Sequence, residues 1–307
     1  MLMLDGSNAK RYMHFHKELP SAQGMDIWRN YAYILFDTGC CGVYDLRSKD
    51  PQPIAFFRLG SYNEGIPDKN YLNHANSCMF SGIHLADNPI PLMYVTIGTG
   101  IGRDEDGFYY RCAVENIIQT QNSDGKACFQ AQTVQVISYR PAPMVSGCFE
   151  PPSWGCPAFF VDSEAGFFYI FSARYRTTKG HVPEGKQNAY IITKFKLPDV
   201  NAGGMIHLGP EDIVDQFSVE SDVLFTQGGT LNGNRIYYTF GCPEKGYPIH
   251  ILVFDLDKKS LIAQIGHLND AFFQEEIECC AIYDGNLLCN TCDGSIFALE
   301  RDLIADL

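Results

Sequence analysis

The sequence lacks any long apolar run and is poor in basic residues. No stretch of about 18 consecutive apolar residues occurs in its 307 positions, which predicts that no segment spans a membrane. Lys and Arg number 23 against 36 Asp and Glu, for a formal net charge of −13, so a surface that follows nucleic-acid phosphates or anionic lipids is not expected. Charged residues at 19% are too few for a disordered chain, whereas 46% hydrophobic residues suffice for a large core. We therefore expect a folded protein with no nucleic-acid partner and no membrane span.

The start of the chain also lacks the pattern of a secretory signal, because residues 1–16 show no basic start followed by an apolar segment. Cysteine, by contrast, is plentiful, with twelve residues. Two adjacent pairs, Cys40-Cys41 and Cys279-Cys280, and further cysteines within apolar runs favour small buried thiols over a disulfide framework. We therefore expect free thiols and a reducing, cytoplasmic compartment; secretion is the alternative for a chain whose signal peptide has been removed.

The sequence is rich in short apolar segments that alternate with turn formers. Residues 24–59 contain four of them, at 25–28, 31–36, 42–46 and 54–59, and β-branched and aromatic residues are frequent in these segments. Such a pattern predicts a four-stranded antiparallel meander. An isolated meander buries too little apolar surface to be stable alone, so we expect further sheets of the same kind.

Four more units of this type follow, and the turns Asn232-Gly233 and Asp284-Gly285 predict hairpins in two of them. The glycine-rich residues 96–102 precede a turn and a strand rather than a helix, which favours a hairpin loop over a phosphate-binding loop. The predicted strands lie at 73–80, 92–97, 108–117 and 131–137 in unit two, 158–161, 167–173, 189–196 and 213–219 in unit three, 225–231, 235–240, 248–255 and 260–265 in unit four, and 276–283, 286–291 and 295–300 in unit five.

Unit five is one strand short, whereas residues 11–19 alternate like a strand but have no hairpin partner. The missing strand of unit five and the unpaired N-terminal strand together predict a closed ring, in which the first strand of the chain becomes the outer strand of the last unit. Residues 1–7 are expected to be loosely held. Five units result, or six if the long third unit divides.

The repeat architecture and unit starts such as residues 276–287, EIECCAIYDGNL, resemble those of five-bladed β-propeller proteins over essentially the whole chain. The resemblance implies an all-β fold, a five-bladed β-propeller of four-stranded antiparallel blades, in a single domain spanning residues 1–307. It also implies that the first strand of each blade lines a central channel. Ligand sites of this architecture generally lie at one mouth of that channel.

Polar residues stand near the first strand of several blades, where the resemblance places them at one axial mouth. They are Gln23, Asp26, His74, Asn76, Gln227, Glu276 and Glu278. One interpretation is a binding site for a small polar ligand; the alternative is that these residues are solvated and cap local turns. Trp154, at the start of blade three, is either a stacking platform for a sugar or an anchor packed between blades.

Glu276 and Glu278 are two positions apart and should point to the same face of a strand. Their repulsion raises one pKa unless a cation lies between them, which makes them the candidate metal ligands. A calcium-type cation on the channel axis is the one cofactor that these acids suggest. We expect His74 to lie beside them, with a glutamate orienting its ring. The CxxC pair Cys289 and Cys292 has no second pair or histidines nearby, which argues against a metal site there.

The leading functional hypothesis is a binding or scaffold propeller whose axial pocket takes a carbohydrate or a cation. The first alternative is a glycoside hydrolase, since five-bladed propellers include such enzymes, with Asp26, Glu276 and Glu278 as candidate catalytic carboxylates. Blades three and four hold no acid at their starts, which argues against this alternative. The second alternative is a ring that binds proteins and has no chemistry in its pocket.

Overall fold

The computed structural model describes residues 1–62, 73–97, 110–121, 123–125, 127–139, 154–175 and 182–305. Their strands form five sheets, and the innermost strands of these sheets contact one another in a closed cycle. The sheets are therefore the blades of a five-bladed β-propeller, which confirms the fold expected from the repeats. In the described part of the chain, no helix is long and apolar enough to cross a membrane.

The strands follow the chain from blade to blade, and each blade is a meander from the axis outwards. The chain begins with β1 (Leu2–Asp5) and β2 (Lys10–His14), followed by blade one with β3 (Ala22–Trp28), β4 (Tyr31–Phe36), β5 (Cys40–Asp45) and β6 (Ala55–Arg58). Blade two contains β7 (Cys78–Phe80), β8 (Met93–Ile97), β9 (Tyr110–Gln121) and β10 (Ala127–Tyr139), and blade three contains β11 (Trp154–Asp162), β12 (Phe167–Ala173), β13 (Ala189–Lys196) and, after β14 (Gly204–Leu208), β15 (Ile213–Glu220). Blade four contains β16 (Thr226–Asn232), β17 (Arg235–Cys242), β18 (Tyr247–Asp255) and β19 (Ser260–Gly266), and blade five contains β20 (Ile277–Tyr283), β21 (Asn286–Thr291) and β22 (Ser295–Leu299), followed by the short helix α1 (Arg301–Ile304).

The N-terminal residues close the ring, as predicted. Strand β2 pairs antiparallel with β22 and supplies the fourth strand of blade five, although it ends at His14 instead of continuing to Leu19. The expectation that residues 1–7 are loosely held is wrong. Residues Leu2 to Asp5 form β1, which pairs in parallel with β19 and adds a fifth strand to blade four. The physical reason is that the outer edge of β19 offers unpaired backbone groups, and β1 satisfies them.

Blade two gains a fifth strand in the same way. Strand β14 leaves blade three and pairs in parallel with β10 before the chain returns to β15. The sequence around Gly203 is irregular because it holds this excursion rather than one long strand. The two parallel additions, β1 and β14, were not predicted, since each pairs with a strand far away in the sequence.

The hydrophobic core is divided into layers between neighbouring blades. On β4, Tyr33 and Leu35 pack towards blade two, whereas Ile34 and Phe36 pack towards blade five. Similar layers lie between blades two and three, three and four, and four and five. Because both faces of each blade are buried, the strands are apolar at consecutive positions instead of alternating with polar residues. This explains the continuous apolar runs of the sequence.

The ten described cysteines are all free thiols, and most of them lie in these layers. This confirms the prediction for the adjacent pairs Cys40-Cys41 and Cys279-Cys280. Burial raises the pKa of the Cys279 thiol to about 12, so the side chain is neutral at physiological pH and packs as a small apolar group.

A register shift recurs near the start of the innermost strand in four of the five blades. It lies between Ala22 and Met25 in blade one, and between Ile277 and Cys279 in blade five. Blade four carries an equivalent shift after Thr226, whereas the shift in blade three is larger, with two extra residues between Trp154 and Ala158. Such β-bulges insert an extra residue and re-aim the neighbouring side chains. The bulges therefore decide which side chains point towards the axial mouth.

Candidate functional site

The innermost strands approach one another so closely that glycine is required at the axis. The Gly24 N–H donates to the carbonyl of Ala75 at 2.9 Å, which joins blade one to blade two. At Gly228, an added Cβ would lie 2.8 Å from Sγ of Cys279 and 2.9 Å from the carbonyl oxygen of Asn76. These contacts come from blades five and two, so the axial lumen is packed at this level. We refer to the channel mouth above this level as the axial cup, and the packed contacts at Gly228 form its floor.

One hairpin of blade five places three potential ligands in this cup. Glu276 directly precedes β20 and Cys292 directly follows β21, and the Cys292 N–H donates to the carbonyl of Glu276 at 3.0 Å. Glu278 is the extra residue of the bulge on β20, because Ile277 and Cys279 pair with consecutive residues of β21. The carboxylate oxygens of Glu276 and Glu278 and Sγ of Cys292 lie within 4.8 Å of one another. Among the described residues, this is the one group of His, Cys, Asp or Glu close enough to hold a metal ion.

Glu278 is the most deeply placed member of this cluster. The residue exposes 5% of its surface, and none of the described residues donates a hydrogen bond to its carboxylate. Burial raises its pKa well above the usual range, and the negative charge of Glu276 adds to the effect. Asp37 and Asp293 act in the same direction, whereas Lys245 opposes them. The carboxylate is thus isolated from hydrogen-bond donors and surrounded mainly by negative charge.

Glu276 is held in place from the neighbouring blade. Nε2 of Gln227 donates to Oε1 of Glu276 at 2.8 Å and also lies 3.2 Å from the carbonyl of Gly241. The Cys242 thiol also faces Glu276, and burial together with that carboxylate raises the thiol pKa to about 11. These contacts hold the Glu276 carboxylate from the side of blade four.

Cys292 contributes a half-buried thiol. Its pKa is raised by burial and by the nearby carboxylates of Glu278, Asp293 and Glu276, while Lys17 lowers it. Nζ of Lys17 donates to the carbonyl of Cys292 at 2.9 Å and to that of Pro20 at 2.7 Å, which fixes the backbone at this point. The other cysteine of the CxxC pair, Cys289, is buried in the layer between blades four and five, away from this cluster. Cys292 itself was missed as a candidate ligand.

His74 has a different partner from the one expected. Its Nδ1 lies 2.5 Å from Oδ1 of Asp37, a residue that directly follows β4 of blade one. Both side chains are about two-fifths exposed. The expectation that Glu276 or Glu278 orients the ring is therefore wrong, because Asp37 occupies that role. Asp37 acts electrostatically on Glu278, so the His74–Asp37 pair belongs to the rim of the same mouth.

Gln23 and Asn76 are both buried at the axis, exposing 4% and 3% of their surfaces. Nε2 of Gln23 donates to Oγ of Ser21 at 2.7 Å, and the backbone carbonyl of Gln23 accepts from Nδ2 of Asn290 at 2.6 Å. The backbone carbonyl of Asn76 contacts Gly228. These contacts connect blades to each other, and a ligand-binding role for either side chain stays a prediction.

Asp26 lies farther along β3 than the bulge, on the side of blade two. Its carboxylate accepts from the Phe80 N–H at 2.5 Å, and burial raises its pKa to about 7. Asp26 therefore ties the innermost strand of blade one to that of blade two. The carboxylates that act on Glu278 are Glu276, Asp37 and Asp293, and Asp26 is not among them. A catalytic role for Asp26, Glu276 and Glu278 stays a prediction.

Two sequence-based interpretations lie outside the described residues. The side chain of Trp154 is not described, so its role as a sugar platform stays a prediction. The same holds for most of the glycine-rich loop, from residue 98 onwards.

Comparison with known proteins assigns no family to the chain. No protein-family model and no curated protein sequence matches the chain. Similar solved structures include the glutaminyl cyclase of Myxococcus xanthus, with 11% identity, a TM-score of 0.46 and coverage of 97% of this chain and 96% of that one. The PQQ-bound aldose sugar dehydrogenase of Streptomyces coelicolor has 11% identity, a TM-score of 0.45 and coverage of 95% and 98%. At such identities and TM-scores the likeness carries no argument about fold or activity, and the propeller architecture rests on the sheets of this chain.

Proposed function

We propose that this β-propeller binds a divalent cation in the axial cup, with Glu276 and Glu278 as ligands. The observation that carries this proposal is Glu278, a residue that is 5% exposed and whose carboxylate receives no hydrogen bond from a described residue. A buried carboxylate without a partner is costly, and such groups are normally neutralised by a proton, a counter-charge or a metal.

The charges around Glu278 favour a cation as the compensating group. Glu276, Asp37 and Asp293 face it with negative charge, and Lys245 supplies the positive charge. The ammonium of Lys245 lies over the ring of Phe225, 4.9 Å from its centroid, and forms no ion pair with Glu278 within the described residues. A bound cation would compensate two carboxylates at once, which a single proton does not do.

A cation fits the cup better than a sugar does. A sugar ring needs accessible polar groups and an exposed face for stacking, whereas Glu278 is buried and one oxygen of Glu276 is held by Gln227. The packed contacts at Gly228 close the floor of the cup. The surrounding carboxylates also repel phosphates and other anions at close range.

Calorimetric titration tests the proposal. Wild type, E276Q/E278Q and E300Q are titrated with Ca²⁺, Mg²⁺, Mn²⁺ and Zn²⁺ and with a panel of neutral sugars. Glu300 is a suitable control because its exposed carboxylate pairs with Lys10 at the outer part of blade five. We expect wild type and E300Q to bind at least one cation with similar affinity, and the double variant to lose that binding. Equal binding by the double variant would contradict the proposal, as would a wild type that binds none of the cations.

A further inference from the structure

We infer that the cation of the axial cup belongs to the zinc class, with Sγ of Cys292 as its third protein ligand. This inference rests on the proposed cation site and replaces the calcium-type ion expected from the two acids alone. The structural reason is that the bulge on β20 and the end of β21 bring one sulfur within 4.8 Å of two carboxylates.

The donor set decides between the classes of metal. Ca²⁺ takes about six to eight oxygen ligands and Mg²⁺ a near-ideal octahedron of oxygens. The cup offers two carboxylates and a thiol, and the amide of Gln227 turns an N–H towards Glu276 rather than an oxygen towards the centre. Sulfur and carboxylate together suit Zn²⁺, which accepts cysteine, histidine and acidic ligands at tetrahedral positions.

The spacing of the donors agrees with such an ion. For metal–oxygen bonds of about 2.1 Å and metal–sulfur bonds of about 2.3 Å, a tetrahedral ion holds its ligand atoms roughly 3.4–3.6 Å apart. The three atoms lie within 4.8 Å of one another. Glu276 and Cys292 are half-buried, and their side chains can change rotamer more easily than that of the buried Glu278. Glu278, at the bottom of the cup, is the fixed point of the site.

Neighbouring groups orient each of the three ligands. Gln227 holds one oxygen of Glu276, and Lys17 holds the carbonyl of Cys292. Oγ1 of Thr239 donates to the backbone carbonyl of Glu278 at 3.2 Å, which positions the bulge. Supporting contacts of this kind are typical of metal sites, since they fix the direction of the ligand atoms. Three protein ligands would leave one position of a tetrahedral zinc ion for a water molecule or another ligand.

Cobalt substitution tests the sulfur ligand directly. Co²⁺ accepts the same ligands as Zn²⁺, and a cobalt–thiolate bond gives a charge-transfer band in the near ultraviolet together with intense visible bands for a tetrahedral ion. The probe is Co²⁺ added to the full-length protein, followed by displacement with Zn²⁺. The variants are C292S, E276Q/E278Q and C128S, where Cys128 is the control because it is also a half-buried free thiol but lies in blade two.

We expect the charge-transfer band in wild type and C128S, and its loss in C292S. Zinc affinity should fall by at least about 100-fold in C292S, since removing a direct ligand exceeds the 10–100-fold loss typical of supporting residues. A Q227L variant should lower zinc affinity by about 10-fold to 100-fold and retain the band. This result would distinguish a residue that only orients the ligand Glu276 from a residue that binds the metal. Circular dichroism and thermal melting of each variant establish that the ring is folded.

The outcomes separate the two proposals. Calcium binding that depends on Glu276 and Glu278, without a cobalt–thiolate band, overturns the zinc inference and leaves the cation site standing. A band that persists in C292S also overturns it, because the sulfur then comes from another thiol. Absence of binding by any cation overturns both.

Discussion

The buried Asp26 makes stability depend on pH in a way that one substitution removes. In the folded protein its pKa is about 7, because burial outweighs the hydrogen bond from the Phe80 N–H. The reference pKa of an aspartate is 3.8. Replacing Asp26 by Asn keeps the size of the side chain and an oxygen that can accept from Phe80, and it removes the titration.

The sign and the size of the effect follow from proton linkage. A carboxyl whose pKa is raised on folding holds its proton more tightly in the folded state, so stability is greatest at low pH. Stability then falls as the pH rises from the reference pKa of 3.8 to about 7, and becomes level above it. The shift from 3.8 to about 7 corresponds to roughly 4 kcal/mol in total. Roughly 2 to 3 kcal/mol of this loss lies between about pH 5 and about pH 8.

Urea unfolding at a series of pH values measures the effect. We expect wild type to lose stability from pH 5 to pH 8 relative to D26N, by about 2 to 3 kcal/mol. The difference between the two proteins isolates Asp26, because Glu278 titrates in both. D255N is the control, because the pKa of Asp255 is lowered in the folded protein. Burial alone would raise this pKa, but the backbone hydrogen bond and the charge of Lys258 outweigh burial, so the carboxyl stays ionised throughout this range. The D255N curve should run parallel to wild type, and a D26N curve that also runs parallel would refute the reasoning.

Two further predictions concern the ring itself. Deleting residues 1–20 should cost more than roughly 3 kcal/mol, since it removes β2 with the buried Met13 and Phe15, whereas deleting residues 1–6 removes the largely exposed β1 and should cost about 1 kcal/mol or less. Equal changes in Tm for the two truncations would contradict closure by β2. Replacing Gly228 by Ala should destabilise the protein by about 1–3 kcal/mol or more, because its Cβ would lie 2.8 Å from Sγ of Cys279. The control G266A meets only ordinary contacts at 3.6 Å to His250 and should be nearly neutral in the same denaturation assay.

The fold was predictable because its signals are local. Turns such as Asp284-Gly285 and apolar runs of strand length fix each hairpin, and the count of strands leaves β2 as the partner of β22. The parallel strands β1 and β14 were not predictable in this way. Their pairing joins segments more than 60 residues apart, and no turn or alternation in the sequence specifies such a partner.

The site was predictable only in part, for a similar reason. Glu276 and Glu278 were identified because they are near each other in the sequence. Gln227 was identified because, like Glu276, it stands at the start of the first strand of its blade. Asp37 was missed, since it lies between β4 and β5 and not at the start of a blade. The contact of Asp37 with His74 depends on how blades one and two are placed in the ring, and no local sequence pattern specifies this placement.

Cys292 shows how a single inserted residue builds a site. Counting from the Asp284-Gly285 turn, Tyr283 pairs with Asn286 and the register stays constant up to Cys279 and Asn290. The same count would place Ile277 opposite Cys292. The bulge at Glu278 shifts the pairing by one, so Ile277 meets Thr291 and Cys292 moves opposite Glu276. One extra residue thereby takes Glu278 out of the ladder and brings Sγ of Cys292 within 4.8 Å of the two carboxylates. The zinc site that we propose therefore depends on the bulge as well as on its three ligands.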